Sequence, residues 1–427
     1  MPLPERVDLL VVGAGTAGAA AAGRAAARGL RVLCVDRGPL DAAGAHWRNG
    51  VTREAFVEAA VPLPEGDELA GDDVAFHMHA GWGPTRITMR RHGVLEIDMR
   101  HLVDRLQRRA LEAGAILESE VTVEGLEGTR VRTSRGTVRA EAIADASGLG
   151  GARLLDQPRT PRRDLCAAAQ AVFRLADPAG ADLFLDQHRA QRDEVLCFAG
   201  VAGGYSILNV RIRDDEVALL TGSIPADGHP SGGQLIDRFV QEHPWIGAEV
   251  LRGQRAIPLG RPHDVIGAGR VALLGDAARQ VFSAHGSGIG PGMLAARILA
   301  DTLAEGGSAE DYAVTWMRTH GGLFAAYDAF RRYSQGLSTS SLERLMEVGL
   351  VDGEMSAATM AQRLPRLTAR DALGLAPGLA KAGRLSVGLA QVGARMGALQ
   401  ALYRAYPRER RARRGWAATA ARLARGD

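Results

Sequence analysis

A chain of 427 residues with 46% hydrophobic and 24% charged residues can bury a large core, which excludes the disordered and collagen-like classes. Its 52 basic and 49 acidic residues nearly balance, so the net charge of +3 gives no field over the whole molecule for holding nucleic acid. Three cysteines without CxxC or Cys/His zinc spacing favour a reducing, cytoplasmic setting: Cys34, Cys166 and Cys197.

The first predicted elements form a βαβ unit at the N-terminus. Residues 7–12 are a continuous apolar run, typical of a parallel strand buried on both faces. An Ala-rich helix and a second apolar strand over 31–35 follow. Between the first strand and the helix, glycines stand in the GxGxxG pattern at Gly13, Gly15 and Gly18. They allow a tight turn, the approach of a pyrophosphate and close packing of the helix, while Asp36 can accept hydrogen bonds from a ribose. The unit predicts dinucleotide binding without separating NAD from FAD.

The middle of the chain changes from irregular to β-rich. Residues 40–95 show no regular period, whereas residues 96–114 have helical spacing and end at Gly114. Strands are predicted at 116–123, 129–133 and 137–144, the last ending in IADASG. A second β-rich region covers 166–255, where a hairpin is predicted to turn at Asp214–Asp215.

The last third of the chain is predicted to be mainly helical. A buried strand, a short loop and a long Ala/Leu helix follow Gly269. Beyond residue 305 the pattern is almost wholly helical, with breaks expected at Gly321–Gly322 and at Pro365.

Three separated strings carry a resemblance to a known group of enzymes. They are GAGTAG with Asp36, IADASG at 143–148, and LLGDAA at 273–278 followed by HGSGIG. Together they resemble the FAD-dependent oxidoreductase superfamily that shares the para-hydroxybenzoate hydroxylase fold, and most closely its geranylgeranyl reductase family. The resemblance spans residues 6 to about 300 and identifies the cofactor as FAD.

The resemblance implies a role for each motif. Asp276 of the GD motif would bind the ribityl chain of FAD, with Gly275 clearing space, and Arg100 would lie near the pyrophosphate. Val121 would touch the adenine through its backbone. The complete set of implied FAD-binding residues is Gly13, Gly15, Thr16, Ala17, Gly18, Asp36, Arg37, Arg100, Val121, Asp145, Gly148, Gly275, Asp276, Gly286, Gly288 and Ile289.

The same resemblance implies an α/β fold with three parts. A discontinuous Rossmann-like FAD-binding domain would take residues 1–43, 95–160 and 255–304. A β-sheet substrate-binding domain would take 44–94 and 161–254. The remainder, 305–427, would be a helical C-terminal region.

The chain departs from its relatives near the expected substrate site. Ser283 stands where the family has proline, and residues 204–209 lack the Trp and Pro of the string that lines the reductases' lipid tunnel. Tyr205, Ile207 and Leu208 are nevertheless suited to the floor of an apolar pocket. Halogenation is set aside, because the WxWxIP string and the catalytic lysine that the halogenases share are both missing. The only lysine of this chain, Lys381, is in the C-terminal region.

The predicted function is an FAD-dependent oxidoreductase acting on a bulky, largely apolar small molecule, by hydride transfer to an activated double bond. Electrons would come from NAD(P)H or a partner flavin reductase, since no second complete βαβ fingerprint is visible. The alternatives are a flavin monooxygenase that hydroxylates its substrate through a hydroperoxyflavin, and a non-redox FAD-bound isomerase or cyclase.

Histidines supply the remaining candidates for chemistry. His285, in the loop expected to face the flavin, could deliver a proton or stabilise reduced flavin as an imidazolium, but a loop histidine bonded to backbone is the alternative. His77 and His79 would share one face of a strand, yet no third ligand is evident, so no metal is predicted.

The C-terminal tail is strongly basic. From Arg404 onward eight arginines oppose Glu409 and Asp427, a local charge of +6. The tail is either a solvated helix packed through Trp416 or a peripheral contact with an anionic membrane. The sequence predicts nothing about the oligomeric state.

Overall fold

The computed structural model describes residues 2–365 and 377–426, and within them the chain forms three β-sheets and a set of C-terminal helices. The strands are β1 Arg6–Val12, β2 Val32–Val35, β3 Arg48–Thr52, β4 Leu69–Asp72, β5 Phe76–Ala80, β6 Arg86–Met89, β7 Val94–Asp98, β8 Ile116–Glu118, β9 Val123–Glu127, β10 Arg130–Thr133, β11 Gly136–Asp145, β12 Leu165–Leu175, β13 Val195–Ala199, β14 Ser206–Arg213, β15 Glu216–Ser223, β16 Ile246–Pro258, β17 Gly267–Ala268 and β18 Val271–Leu273.

The helices follow the same chain order. They are α1 Thr16–Ala27, α2 Arg53–Glu58, α3 Met99–Glu112, α4 Pro178–Gln187, α5 Gly232–Glu242, α6 Ile289–Ala304, α7 Ala309–Trp316, α8 Gly322–Gln335, α9 Thr339–Glu347, α10 Gly353–Met360, α11 Arg384–Arg404 and α12 Arg410–Arg425. The predicted α/β fold, with its Rossmann-like part, second β-sheet and helical C-terminal region, is confirmed.

The first sheet has β1 near its centre. The order β17-β18-β11-β1-β2-β8 makes β1 a parallel neighbour of both β11 and β2, and α1 is the crossover between β1 and β2. Leu9, Leu10 and Val11 of β1 are fully buried, as expected of a strand covered on both faces. The carboxyl ends of β1, β2, β11 and β18 therefore meet at one edge, where open parallel sheets bind ligands.

The second sheet has seven strands in the order β16-β12-β15-β14-β13-β5-β6. The hairpin predicted at Asp214–Asp215 is confirmed, since β14 and β15 pair directly across it. Alternate residues of β14, such as Leu208 and Val210, pack under α4 and α5 in a second core. Leu208 therefore points away from the pocket that it was expected to floor. The other face of the sheet is left for a ligand.

The segment expected to be irregular, residues 40–95, is in fact ordered. It contains β3 to β6, the start of β7 and the short helix α2. β3, β7 and β4 form a small antiparallel sheet, whereas β5 joins the second sheet by pairing with β13, so that Met78 lies opposite Cys197. The strand expected to carry His77 and His79 is β5. No regular period marks the other strands, because pairing between strands defines them: β3 and β4 pair with β7, and β6 pairs with β5.

The break expected at Gly321–Gly322 is also absent. A π-helical turn, Met317–Gly321, joins α7 to α8 without a loop. A Cβ on Gly321 would lie 2.7 Å from Tyr403 Cδ1, and one on Gly322 would lie 3.1 Å from Gln400 Cα. These glycines let α11 pack closely on α8 instead of ending the helix. At the other expected break, residues 363–365 are not helical, and 366–376 lie outside the described residues.

The basic tail packs on the body of the protein. Trp416 of α12 is buried, and its Nε1 donates to the Leu402 carbonyl at 3.0 Å. Arg413 is 4% exposed, and its Nη2 lies 3.7 Å from Glu310 Oε2. No helix among the described residues is long and apolar enough to cross a membrane.

Candidate functional site

The turn after β1 is shaped by its glycines. Gly13 has φ +101°, and a Cβ there would lie 2.5 Å from the Ala146 carbonyl oxygen. A Cβ on Gly18 would collide with the Gly13 carbonyl, so only glycine lets α1 begin this close to the turn. Gly15 is the N-cap of α1 and lines a large cavity together with Thr16 and Ala17. The N-terminus of α1 thus offers backbone N–H groups to an anion.

Asp36 lies at the same edge of the sheet, directly after β2. Its carboxylate accepts hydrogen bonds from the Ala14 N–H at 2.8 Å and the Gly38 N–H at 3.0 Å, and its carbonyl accepts one from Val121 N–H at 2.8 Å. Asp36, Arg37 and Val121 all line the cavity. The acid, the glycine turn and the predicted adenine contact are therefore brought together.

Asp145 lies behind the cavity and supports a loop. It is 1% exposed, and it accepts hydrogen bonds from the N–H of Ser147 at 3.2 Å and of Leu154 at 3.0 Å. The loop that these bonds hold presents Gly148, with φ +79°, to the cavity. The geometry gives Asp145 a supporting position behind the lining, while Gly148 faces the ligand space.

A buried chain of hydrogen bonds fixes the turn at Gly275. The Gly275 N–H donates to Gln280 Oε1 at 2.8 Å, and Gln280 Nε2 donates to Tyr312 Oη at 2.8 Å. Tyr312 Oη in turn donates to the Leu273 carbonyl at 2.9 Å. These bonds hold the end of β18 at the start of the turn that carries Asp276.

The Asp276 carboxylate lines the cavity without a hydrogen bond or ion pair to any described residue. It faces Gly288, the N-cap of α6, where a Cβ would lie 3.4 Å from Asp276 Oδ1. Burial raises the pKa of Asp276 to about 6, against a smaller opposing effect of the Arg255 charge. A half-buried, unpartnered acceptor that lines a cavity fits a ligand rich in hydroxyl groups, such as the ribityl chain of FAD. Gly286, Gly288 and Ile289 line the cavity beside it.

Arg100, like Gly18 and Asp145, is a predicted residue that does not line the cavity. Its side chain is 55% exposed, and its Nη2 pairs with Asp98 Oδ2 at 2.7 Å. The ion pair between Arg100 and Asp98 lies at the N-terminus of α3, because Asp98 is the N-cap of that helix. Its assignment to the pyrophosphate stays a prediction.

Gly44 and Arg255 are among the lining residues that the sequence reasoning missed. Gly44, with φ +83°, brings its loop against Gly15, and Arg255 donates a hydrogen bond to the Gly44 carbonyl. Arg255 lies on β16, far from every motif, and its charge acts on Asp276. No local signal marks either residue, because both are selected by contacts between distant parts of the chain.

The cavity extends well beyond the motifs. Its volume is about 1100 Å³, and it runs from the glycine turn across the open face of the second sheet to the C-terminal helices. Tyr205 and Ile207 line it as expected. The apolar part of the wall includes Met78, Met89, Val195, Leu220, Ile257, Phe330, Leu337, Leu342, Leu345, Val351, Met355, Met360 and Leu389.

His285 contributes an unpartnered nitrogen to this cavity. Its Nε2 is shielded from solvent and has no hydrogen-bond partner in the described chain, and its ring packs 4.9 Å from that of Phe282. Burial lowers the pKa of His285 to about 4, against a smaller opposing effect of the Thr359 backbone. Without a ligand the ring is therefore neutral near pH 7, and the role of His285 toward reduced flavin stays a prediction.

The other histidine pair is used in packing. His77 Nδ1 lies 3.0 Å from Thr88 Oγ1 and its Nε2 lies 2.9 Å from Glu194 Oε2, whereas His79 stacks on Phe198. Within residues 2–365 and 377–426, no group of three or more His, Cys, Asp or Glu side chains is placed to hold a metal ion.

Sequence comparisons relate this site to flavoenzymes. Residues 8–70 match the family model of the FAD dependent oxidoreductases. The chain is 22% identical to a digeranylgeranylglycerophospholipid reductase of Sulfolobus acidocaldarius, covering 82% of each chain. It is 26% identical to a menaquinone reductase of Mycolicibacterium smegmatis, covering 73% of this chain and 79% of that one. The predicted resemblance is confirmed.

Solved structures share the fold. A geranylgeranyl bacteriochlorophyll reductase-like protein from Thermoplasma acidophilum has a TM-score of 0.70 at 18% identity, covering 90% of this chain and 98% of that one. PqsL of Pseudomonas aeruginosa, a probable FAD-dependent monooxygenase, has a TM-score of 0.57 at 18% identity, with 81% and 99% covered. The flavin-dependent brominase Bmp2 has a TM-score of 0.61 at 14% identity, with 84% and 94% covered. In this chain the single lysine, Lys381, is exposed and lies outside the cavity lining.

Proposed function

We propose that this chain, an FAD-dependent oxidoreductase, reduces a carbon–carbon double bond in a bulky, largely apolar molecule. The observation that carries the proposal is the single cavity that joins the FAD motifs to an apolar wall. A substrate bound against that wall would share one cavity with the cofactor, as hydride transfer requires. The relatives named as reductases of geranylgeranyl lipids and of menaquinone also act on long apolar molecules, which supports this substrate class.

The chain's own residues would hold FAD by three sets of contacts. The N–H groups at the start of α1 would bind the pyrophosphate, Asp276 would accept hydrogen bonds from the ribityl hydroxyls, and Asp36 would bind the adenosine ribose. When bound, FAD supplies the hydride. NAD(P)H or a partner flavin reductase would supply its electrons.

The protein part of the chemistry would be orientation and exclusion of water. The C-terminal helices α8 to α11 cover the open face of the second sheet, so a substrate in the cavity would be shielded from solvent. His285 would hold its unpartnered Nε2 toward the substrate as a neutral hydrogen-bonding group. A neutral ring at this position orients the reacting bond or a water molecule that delivers the proton.

The test uses the FAD-loaded protein under anaerobic conditions with NADPH or dithionite as reductant. Digeranylgeranylglycerophospholipid and menaquinone, the molecules named for the relatives, are supplied separately, and the products are weighed by mass spectrometry. The proposal expects a product that has gained pairs of hydrogen atoms without oxygen. The incubation is repeated in air with labelled oxygen, and a product that forms only there and carries the label would establish the monooxygenase instead. An isomer of unchanged mass would establish the non-redox alternative. The Gly15→Val variant is the control without cofactor.

A further inference from the structure

Asn209 is a polar residue in the middle of the apolar wall. Along β14, Ile207, Asn209 and Arg211 face the cavity, while Leu208 and Val210 face the second core. The register places Asn209 opposite Cys197 on β13 and Leu220 on β15, and both of these residues also line the cavity. The amide therefore lies within the wall, with strands on both sides.

The amide oxygen of Asn209 lacks a hydrogen-bond partner among the described residues. This atom, Oδ1, is also shielded from solvent. Gln170, which lies opposite Leu220 on the same face of the sheet, is already satisfied: it exchanges two hydrogen bonds with the Arg48 backbone, at 2.8 and 3.1 Å. A buried amide without a partner is unfavourable, because it gives up bonds to water that the protein does not replace.

The charges near Asn209 are largely compensated. Arg211 pairs with Glu96, and its Nη2 lies 2.7 Å from Asp193 Oδ1. Burial raises the pKa of the Cys197 thiol to about 12, so that group is protonated and neutral. Arg48, Arg37 and Arg255 also line the cavity without an ion pair to any residue within 2–365 and 377–426, so an anionic ligand would have to use these cations and not the Asn209 amide. Asn209 is thus an uncharged hydrogen-bonding group with Ile207 beside it on β14 and Leu220 opposite it on β15.

We infer that Asn209 binds an uncharged polar group, a hydroxyl or a carbonyl, on an otherwise apolar substrate. A hydroxyl would donate to Oδ1, and a carbonyl would accept from Nδ2. The hydrocarbon part would lie against the neighbouring lining residues, among them Met78, Leu220 and Leu345. Asn209 then acts as a specificity residue, since a site built to hydrogen-bond a ligand rejects the analogue that lacks the group. This inference rests on the proposed function, because it places the substrate in this cavity.

The experiment measures binding without turnover. FAD-loaded parent protein, kept free of reductant, is titrated with three probes, and the perturbation of the flavin absorption spectrum gives each dissociation constant. The probes are geranylgeraniol, the matching C20 hydrocarbon without the hydroxyl, and geranylgeranyl phosphate. We expect the alcohol to bind at least about tenfold more tightly than the hydrocarbon in the parent, and equally in Asn209→Leu. Leu220→Ala, the matched control on the next strand, should weaken alcohol and hydrocarbon alike.

The outcomes separate this inference from the proposed function. If Asn209→Leu keeps the preference for the alcohol, the inference is overturned while the apolar substrate class stands. If the phosphate binds the parent more tightly than the alcohol, the uncharged class is wrong. If no probe perturbs the flavin in the parent, the proposed apolar substrate fails, and the inference fails with it. If Asn209→Leu does not retain FAD, Asn209→Ala gives the same comparison, because it removes the amide without adding volume.

Discussion

Replacing Asp276 should have opposite effects on the stability of the apoprotein and on the affinity for FAD. With its pKa raised from 3.8 to about 6, the ionised carboxylate is disfavoured in the folded apoprotein. At pH 7 the shift of about two units corresponds to a cost of about 3 kcal/mol, which falls as the pH drops from 6 toward 3.8. Asp276→Asn removes the charge and keeps the shape, so its apoprotein should unfold at a higher temperature than the parent at pH 7.

The same substitution should weaken the binding of FAD. A hydrogen bond to a charged acceptor contributes about 1.5–3 kcal/mol, so each bond lost should lower the affinity about 10- to 150-fold. Asp276→Ala loses every such bond, and Asp276→Asn keeps one weaker acceptor. Neither should unfold the protein, because the Asp276 side chain makes no bond that holds its turn. The turn is fixed by the bond from Gly275 to Gln280 and by the Asp276 backbone carbonyl, which both substitutions leave in place.

The pH dependence gives the sharpest check. Binding should favour the ionised carboxylate, so FAD affinity of the parent should fall as the pH drops below about 6, the pKa of the free site. The Asp276→Asn variant should show no such fall. The assay is titration of apoprotein with FAD, followed by quenching of flavin fluorescence between pH 5 and 8. Equal affinity in parent and variants, or an unchanged pH profile in Asp276→Asn, would refute the ribityl assignment.

Further predictions concern the turn, the buried histidine and the tail. Gly15→Val should abolish FAD binding, because even a Cβ there lies 3.3 Å from Gly44 Cα and the branches would enter the pyrophosphate space, whereas Gly150→Val, at a position with nothing within 4 Å, should stay yellow. His285 has a folded pKa of about 4 against 6.5, so the parent should lose up to about 3 kcal/mol of stability as the pH falls from 6.5 through 4. In thermal unfolding at pH 7 and 4.5, His285→Asn should lose less stability than the parent, although not none, because burial also lowers the pKa of His79, His263 and His320 in both proteins. Equal losses in the two proteins would contradict the neutral ring at His285. Trp416→Ala should cost about 3–5 kcal/mol by thermal unfolding, because the indole is buried between Tyr403 and Tyr406. Given this packing, we expect the intact protein to stay in the supernatant with anionic vesicles at low and at high salt, and pelleting only at low salt would instead support the membrane contact.

Much of the cofactor half could be read from the sequence, because local rules determine it. The turn at Gly13 needs a positive φ, and the start of α1 needs a small residue at Gly18. The apolar run of β1 and the hairpin at Asp214–Asp215 are likewise visible within a few residues. Such features depend on backbone conformation and side-chain period, which neighbouring residues fix between them.

Tertiary structure decided the rest. The sequence placed His77 and His79 on a strand, β5, but it could not show that this strand joins the second sheet, because its pairing partner, β13, lies more than a hundred residues away. Two adjacent glycines, Gly321 and Gly322, predict a helix break. In the fold the helix continues through them, because the absence of a side chain lets Tyr403 pack closely against the helix there. The properties of His285 and Asn209 depend on burial within one cavity, and burial is produced by elements that meet only in the folded chain. The sequence by itself therefore determined which cofactor motifs are present, while the fold decided which polar groups are left without partners, because that depends on contacts between distant segments.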